Sequence, residues 1–121
     1  MCSIEDRIYL VDGDRRVKEY NSRTRTWRNM PSLEHRRTLF SVCTRDNKIF
    51  VLGGGSVTCE VLDLDDEDPH WRYTASMSCG YQGGGAVVME DNIYALGGGY
   101  EANNVEVYDI DQGMSLKYLQ S

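Results

Sequence analysis

Residues 49–71 read IFVLGGGSVTCEVLDLDDEDPHW. Four apolar β-formers, IFVL, run into Gly53, Gly54 and Gly55, and a second β-rich run, TCEVLDL, follows. A β-rich run, a glycine break and another β-rich run specify two strands joined by a turn. The same order recurs on either side. Ile8 opens IYLVDGDRRVKEYNSRTRTW and Ile93 opens IYALGGGYEANNVEVYDIDQG, so the three copies start 41 and 44 residues apart. Each copy is preceded by a further short strand candidate (CSI, FSVC, AVVM) across a tight polar turn, and followed by a fourth (TWRNM, HWRYTASM, SLKYL). Four short strands per period of just over 40 residues, with no 3.6-residue apolar pattern, predict an all-β chain. Its unit is an antiparallel four-stranded sheet repeated three times.

The residues at fixed places in these copies resemble the kelch repeat, whose hydrophobic strand ends in paired glycines and is followed by a tyrosine and then a tryptophan. The second copy has Gly53, Gly54 and Gly55, the third Gly97, Gly98 and Gly99, and the first keeps Gly13 with Asp12 at the first glycine position. Tyr20 and Tyr108 hold the tyrosine position and Leu62 replaces it in the middle copy. Trp27 and Trp71 hold the tryptophan position, Trp71 displaced by a two-residue insertion, and Leu116 or Tyr118 stands there in the third copy. The rival propeller repeat of similar length would carry Gly-His and Trp-Asp pairs, and neither occurs. The resemblance implies a kelch-type β-propeller with three four-stranded blades, half of a six-blade ring. The blades are expected at about 2–32, 39–77 and 85–120. The motif residues then have structural work: glycines for positive φ and close backbone approach, tyrosine and tryptophan for filling the wedge between blades.

Charge and composition narrow the functional classes. Residues 1–48 hold 11 Lys/Arg against 7 Asp/Glu, and residues 49–121 hold 2 against 12, which sums to the net charge of -6. An acidic total argues against nucleic acid, whose binding rests on neutralising phosphates. No stretch of about 18 apolar residues is present to cross a bilayer, and MCSIEDRIYL lacks the basic start and apolar centre of a secretory signal. A cytoplasmic location is expected, with the nucleus or the cytoskeleton as alternatives. Cys2, Cys43, Cys59 and Cys79 form no C-x-x-C and have no histidine at metal-ligand spacing, so they read as reduced, strand-borne thiols.

Several motifs suggest chemistry and fall short of it. GGGSVT and GGGAVV follow strands, but a phosphate loop works at a helix N-terminus and no helical pattern follows either run. Asp63, Asp65, Asp66, Glu67 and Asp68 mimic a calcium loop, yet Asp68 stands where glycine is needed and Thr74 where a bidentate Glu is needed. That stretch reads as an enlarged solvated turn stopped by Pro69. His35 and His70 have no nucleophile placed beside them by motif. No catalytic residue, metal ligand or cofactor is expected.

In a four-strand meander the links between strands two and three share a face with the links between blades. That face collects residues 13–16, 53–56 and 97–103 and the inter-blade segments 32–38 and 77–84. It is expected to present Arg15, Arg16, His35, Arg36, Arg37, Ser56, Tyr81, Gln82, Tyr100 and Asn103 to a protein or peptide ligand, an acidic one suiting the arginines. The resemblance implies a substrate-recognition unit of the kind that serves cullin-type ubiquitin ligases. The alternatives are an actin-binding scaffold and, more remotely, a propeller enzyme of the copper-oxidase kind. Known propellers close with about four to eight blades, so three leave two faces to be covered. Either a second copy covers them in a homodimer, or blades of a longer parent do.

Overall fold

A computed structural model describes residues 1–74, 76, 84–96 and 105–111 in full, with the backbone of residue 104 and of residues 114–120. Twelve strands fall into three sheets of four. The first is β1 (Cys2–Ile4), β2 (Arg7–Val11), β3 (Val17–Asn21) and β4 (Thr26–Met30). The second is β5 (Ser41–Arg45), β6 (Lys48–Leu52), β7 (Cys59–Asp63) and β8 (Arg72–Thr74). The third is β9 (Gly85–Met89), β10 (Asn92–Leu96), β11 (Asn104–Asp109) and β12 (Met114–Gln120). Every neighbour is antiparallel and sequential, so each sheet is a plain meander. The four-stranded repeat expected from the sequence is present three times.

The three sheets share their turn chemistry. Each opens with a two-residue hairpin loop, Glu5–Asp6, Asp46–Asn47 or Glu90–Asp91, and the first residue of each has positive φ: 52°, 53° and 55°. A positive φ there gives the turn the right-handed twist that the flanking strands need. At the same end of blade two as its hairpin loop, Asp63 caps the acidic turn: its Oδ1 accepts from the Asp65 N–H at 3.0 Å, while Asn47 and Arg72 bind Asp65 and Asp66.

Strand alternation gives every blade two faces, one toward the preceding blade and one toward the following blade. In blade two the preceding-side face carries Ile49, Val51, Leu62 and Trp71, which are buried against Ile4, Tyr9 and Val17 of blade one and Leu33 of the link. Its other face carries Cys43, Phe50, Leu52 and Cys59, buried against Ile93, Ala95, Tyr108 and Ile110 around blade three. Full burial of an aliphatic side chain contributes about 1.5–3 kcal/mol, so these two seams hold the blades together. Trp71 fills the first seam and its indole Nε1–H donates to Pro31 O at 2.8 Å, which joins the wedge to the link. Tyr108 fills the second, edge-on to Phe50, and its hydroxyl meets the Thr74 hydroxyl. Arg45 ties blades two and three at the rim, reaching Asp91 and Asp111.

Cys2, Cys43 and Cys59 lie on strands as free thiols, and burial pushes them up to about 11, 12 and 12. Thiols held so far into the protonated state are inert as nucleophiles. Cys79 lies outside the described residues.

Candidate ligand-binding face between blades one and two

The face is built where the link from blade one to blade two lies across the strand-two to strand-three turns of both. Leu33 N–H donates to Arg15 O at 2.9 Å, Arg37 N–H to Gly13 O at 3.1 Å, and Thr38 N–H to Gly54 O at 3.1 Å. These bonds stitch the link first to one blade and then to the next. They require close approach. A Cβ on Gly13 would stand 2.5 Å from Arg37 O, and one on Gly54 would stand 2.7 Å from Phe40 Cβ on a backbone with φ of 80°. The glycines of the motif are therefore needed for contact with the link as much as for the turn itself.

Arg37 anchors the link. Its side chain is fully buried, with Nη2 2.9 Å and Nε 3.2 Å from Glu60 Oε2. Nη1 donates to Gly53 O and Thr58 O, both at 2.7 Å, and Nη2 also donates to Thr58 Oγ1 at 3.0 Å. The other oxygen of Glu60 accepts the Glu34 N–H at 2.6 Å. A buried ion pair is tolerated when hydrogen bonds satisfy its remaining donors and acceptors, and this one is satisfied throughout. The expectation that Arg37 presents its guanidinium to a ligand is thereby corrected: adjacent in sequence to exposed Arg36, it turns inward and spends its donors within blade two.

A cleft of about 570 Å³ opens above this frame, lined by Asp12, Asp14, Arg36, Thr38 and Gly55 among others. Of the sequence-derived candidates that are exposed, Arg36 lines it, while Arg15, Arg16 and His35 are exposed on the neighbouring turn and link. Arg16 lies 3.5 Å from Asp12 and 3.7 Å from Asp14, exposed pairs that contribute little to stability and leave Arg16 available. Among the described residues Arg36 is exposed and has no ion-pair partner, so its fork of donors is open at the cleft. Ser56 is half-buried and holds its own turn, sharing a hydroxyl contact of 2.7 Å with Thr58 and accepting the Thr58 N–H at 3.1 Å. Tyr81, Gln82, Tyr100 and Asn103 lie outside the described residues.

The two aspartates in the cleft were not among the sequence-derived candidates. Asp12 replaces a motif glycine, and that departure was the available signal. Its Oδ1 caps the turn by accepting from Asp14 N–H and Arg16 N–H at 2.9 and 3.0 Å. The cleft therefore has mixed charge, with Arg36 at its mouth and aspartates along blade one. Deeper in the seam, Tyr9 donates to Glu19 at 2.8 Å and Arg28 reaches the same carboxylate at 3.0 Å. Burial and the Glu19 bond both raise the Tyr9 phenol well above its ordinary range. Among the described residues no group of three or more His, Cys, Asp or Glu side chains is placed to hold a metal ion, and no helix is long and apolar enough to cross a membrane.

No protein-family model matches the chain. Kelch-like protein 23 of Homo sapiens is 29% identical over 124 residues, covering 91% of this chain and 22% of that protein. A putative F-box/kelch-repeat protein of Arabidopsis thaliana is 37% identical over 88 residues, covering 64% of this chain and 29% of that one. In sequence the chain is similar to kelch-repeat proteins over most of its length. Kelch-like protein 15 of Mus musculus aligns at 24% identity over 82% of the chain and 19% of its own length. The chain thus spans about a fifth of the length of the kelch-like relatives it matches. Two solved structures share its fold. A fungal alcohol oxidase in complex with copper superimposes with a TM-score of 0.77 over 95% of this chain and 29% of that one, at 17% identity. YjhT superimposes with a TM-score of 0.65 over 74% of this chain and 29% of that one, at 19% identity. At such identities the three blades share architecture with the two proteins and nothing about their chemistry follows.

Proposed function

We propose that this chain is a protein-interaction module, whose loop face binds a protein or peptide ligand as the substrate-recognition part of a cullin-type ubiquitin-ligase adaptor. The observation that carries the reading is the cleft of about 570 Å³ across the first blade seam, with unpaired Arg36 at its mouth and a rigid floor of link and turn backbone. A floor fixed by backbone hydrogen bonds costs little ordering on binding, and arginine offers planar, bidentate recognition of a carboxylate. Asp12 and Asp14 favour a ligand that pairs an acidic group with a neighbouring basic or amide group. The kelch-like and F-box/kelch names of the relatives support an adaptor, and the ligase connection belongs to their greater length. On this reading the module works in the cytoplasm and performs no catalysis.

The test is a selection of displayed acidic peptides on the full chain, followed by measurement of the best binder against Arg36→Ala and Arg16→Ala. Arg36→Ala should weaken binding roughly 10-fold, the usual scale for one charge-assisted bond. Selected peptides whose affinity is unchanged by both variants, but is lost on changing Asp46 and Asn47 on the opposite face, would contradict the assignment.

A further inference from the structure

The two seams between blades have the same flank. At the start of its second strand blade one carries Arg7 and blade two carries Lys48, two residues before Tyr9 and Phe50 and on the same side of the sheet. On the outermost strands Arg28 pairs with Glu19 and Arg72 with Val61, and Glu19 and Val61 in turn lie opposite Tyr9 and Phe50. Leu64 of blade two lines the first flank as Ile110 of blade three lines the second. Each seam therefore has a small pocket with two basic side chains at matching positions, about 280 Å³ in the first and about 240 Å³ in the second.

The pockets differ in how those cations are used. In the second, Asp63 lies opposite Lys48 across β6 and β7, and Arg72 reaches Asp66 at 2.5 Å, so two cations meet two carboxylates. In the first, Asn21 stands opposite Arg7 where blade two has Asp63. The carboxylate at hand is Glu19, which is buried and already accepts the Tyr9 hydroxyl at 2.8 Å and Arg28 Nη2 at 3.0 Å. Arg28 spends one nitrogen there and keeps the rest of its fork. Arg7 is half-buried and, among the described residues, makes no ion pair. A guanidinium drawn partly out of water without a partner has lost hydration that an anion restores.

The surroundings say what carries that anion. Met30, Pro31, Leu64 and Pro69 wall the pocket, and no carboxylate is among its lining residues, in contrast to the cleft on the link face with Asp12 and Asp14. It runs along β4, the outermost strand of its sheet, whose outer edge pairs with no strand among the described residues. Such an edge offers main-chain donors and acceptors to an extended peptide. We propose that this flank pocket is a second peptide-binding site, separate from the cleft. It takes an extended acidic segment, with a Glu or Asp side chain between Arg7 and Arg28 and an aliphatic neighbour against Leu64 and Pro69. Two cations against the one carboxylate of Glu19 leave a single positive charge to match, which suits a carboxylate better than a doubly charged phosphate.

The test is a titration of the isotope-labelled full chain, followed by amide chemical shifts, with the peptide acetyl-Gly-Glu-Leu-Gly-amide and its counterparts bearing Gln or phosphoserine in place of Glu. The Glu peptide should shift the amides of Arg7, Met30 and Leu64 saturably, with a Kd of about 1 mM in a titration run to about 10 mM. The Gln peptide should bind roughly 10-fold more weakly, the scale of one charge-assisted bond. Arg7→Gln gives up no ion pair, so its circular dichroism should match wild type while its affinity for the Glu peptide falls by the same factor. Lys48→Gln, the matching change in the second seam, should leave that affinity as it is. Absence of a saturable shift, equal binding of the Glu and Gln peptides, or an Arg7→Gln affinity equal to wild type would each overturn the proposal. Shifts gathered at Arg36 and Thr38 would assign the anion to the cleft and refute it too, and tighter binding of the phosphoserine peptide than of the Glu peptide would refute the choice of a carboxylate.

Discussion

Ile49, Val51, Leu62 and Trp71 in blade two, and Ile8, Leu10, Tyr20 and Trp27 in blade one, are one apolar face written twice, sealed in one place and open in the other. The difference teaches that strand register decides which residues form a seam, while the neighbour decides whether the seam contributes to stability. It extends to the inner end of the face. Glu60 of blade two, paired with Val51, is locked by Arg37, while blade one has Lys18 at that position, paired with Leu10, where no such lock can form. Glu106 of blade three, paired with Ala95, returns to the acidic choice and is buried.

The sharpest way to break the comparison is to remove the lock. Arg37→Met leaves Glu60 buried without its cation and should cost about 3–5 kcal/mol by urea unfolding, because an uncompensated buried charge is left behind. A loss under 1 kcal/mol would show that Glu60 is satisfied by other means. Trp71→Ala empties the sealed face and should cost about 3–4 kcal/mol, against about 1 kcal/mol or less for Trp27→Ala measured at submicromolar protein. Equal losses would mean that the two faces are alike in solution. Gly54→Ala should cost about 2–4 kcal/mol from positive φ and the clash with Phe40, whereas Gly85→Ala, with no atom within 4 Å of its Cβ, should be near neutral.

The smallest effect is alkaline. The folded state holds Cys43 and Cys59 at about 12 against ordinary thiol values of 9.0, and Tyr9 is raised in the same direction. A group whose folded pKa is raised contributes stability that is intact below its unfolded pKa and is lost as pH rises beyond it. The melting temperature should therefore be level below pH 9 and fall progressively toward pH 12. Cys43→Ala, judged against its own value at neutral pH, should flatten part of that slope. A slope unchanged by the substitution would assign the alkaline loss to other groups.

Much of the architecture was legible because propeller seams are made of short-range patterns. IYLV, IFVL and IYAL announce the second strand of each blade, and the polar pairs Glu5–Asp6, Asp46–Asn47 and Glu90–Asp91 announce its hairpin. The face that carries the links could be derived from strand reversal alone, and Arg15, Arg16, His35 and Arg36 stand exposed on it. Arg37 was misread because nothing in the Arg36–Arg37 pair itself distinguishes a solvated guanidinium from a buried one. The distinguishing signal lies 23 residues away, where Glu60 sits in the inward phase of an otherwise apolar face and needs a cation. Asp12 escaped notice for a related reason: it appeared as a defect in a glycine motif, when it supplies the turn cap and, with Asp14, the acidic wall of the cleft.

The central claim is that one apolar face occurs twice, sealed within the chain in blade two and exposed in blade one. Acrylamide quenching reads it directly, using Trp27 as the sole indole in Trp71→Phe and Trp71 as the sole indole in Trp27→Phe. The account predicts that Trp71 is protected while Trp27 is quenched freely. Equal quenching of the two indoles would contradict it.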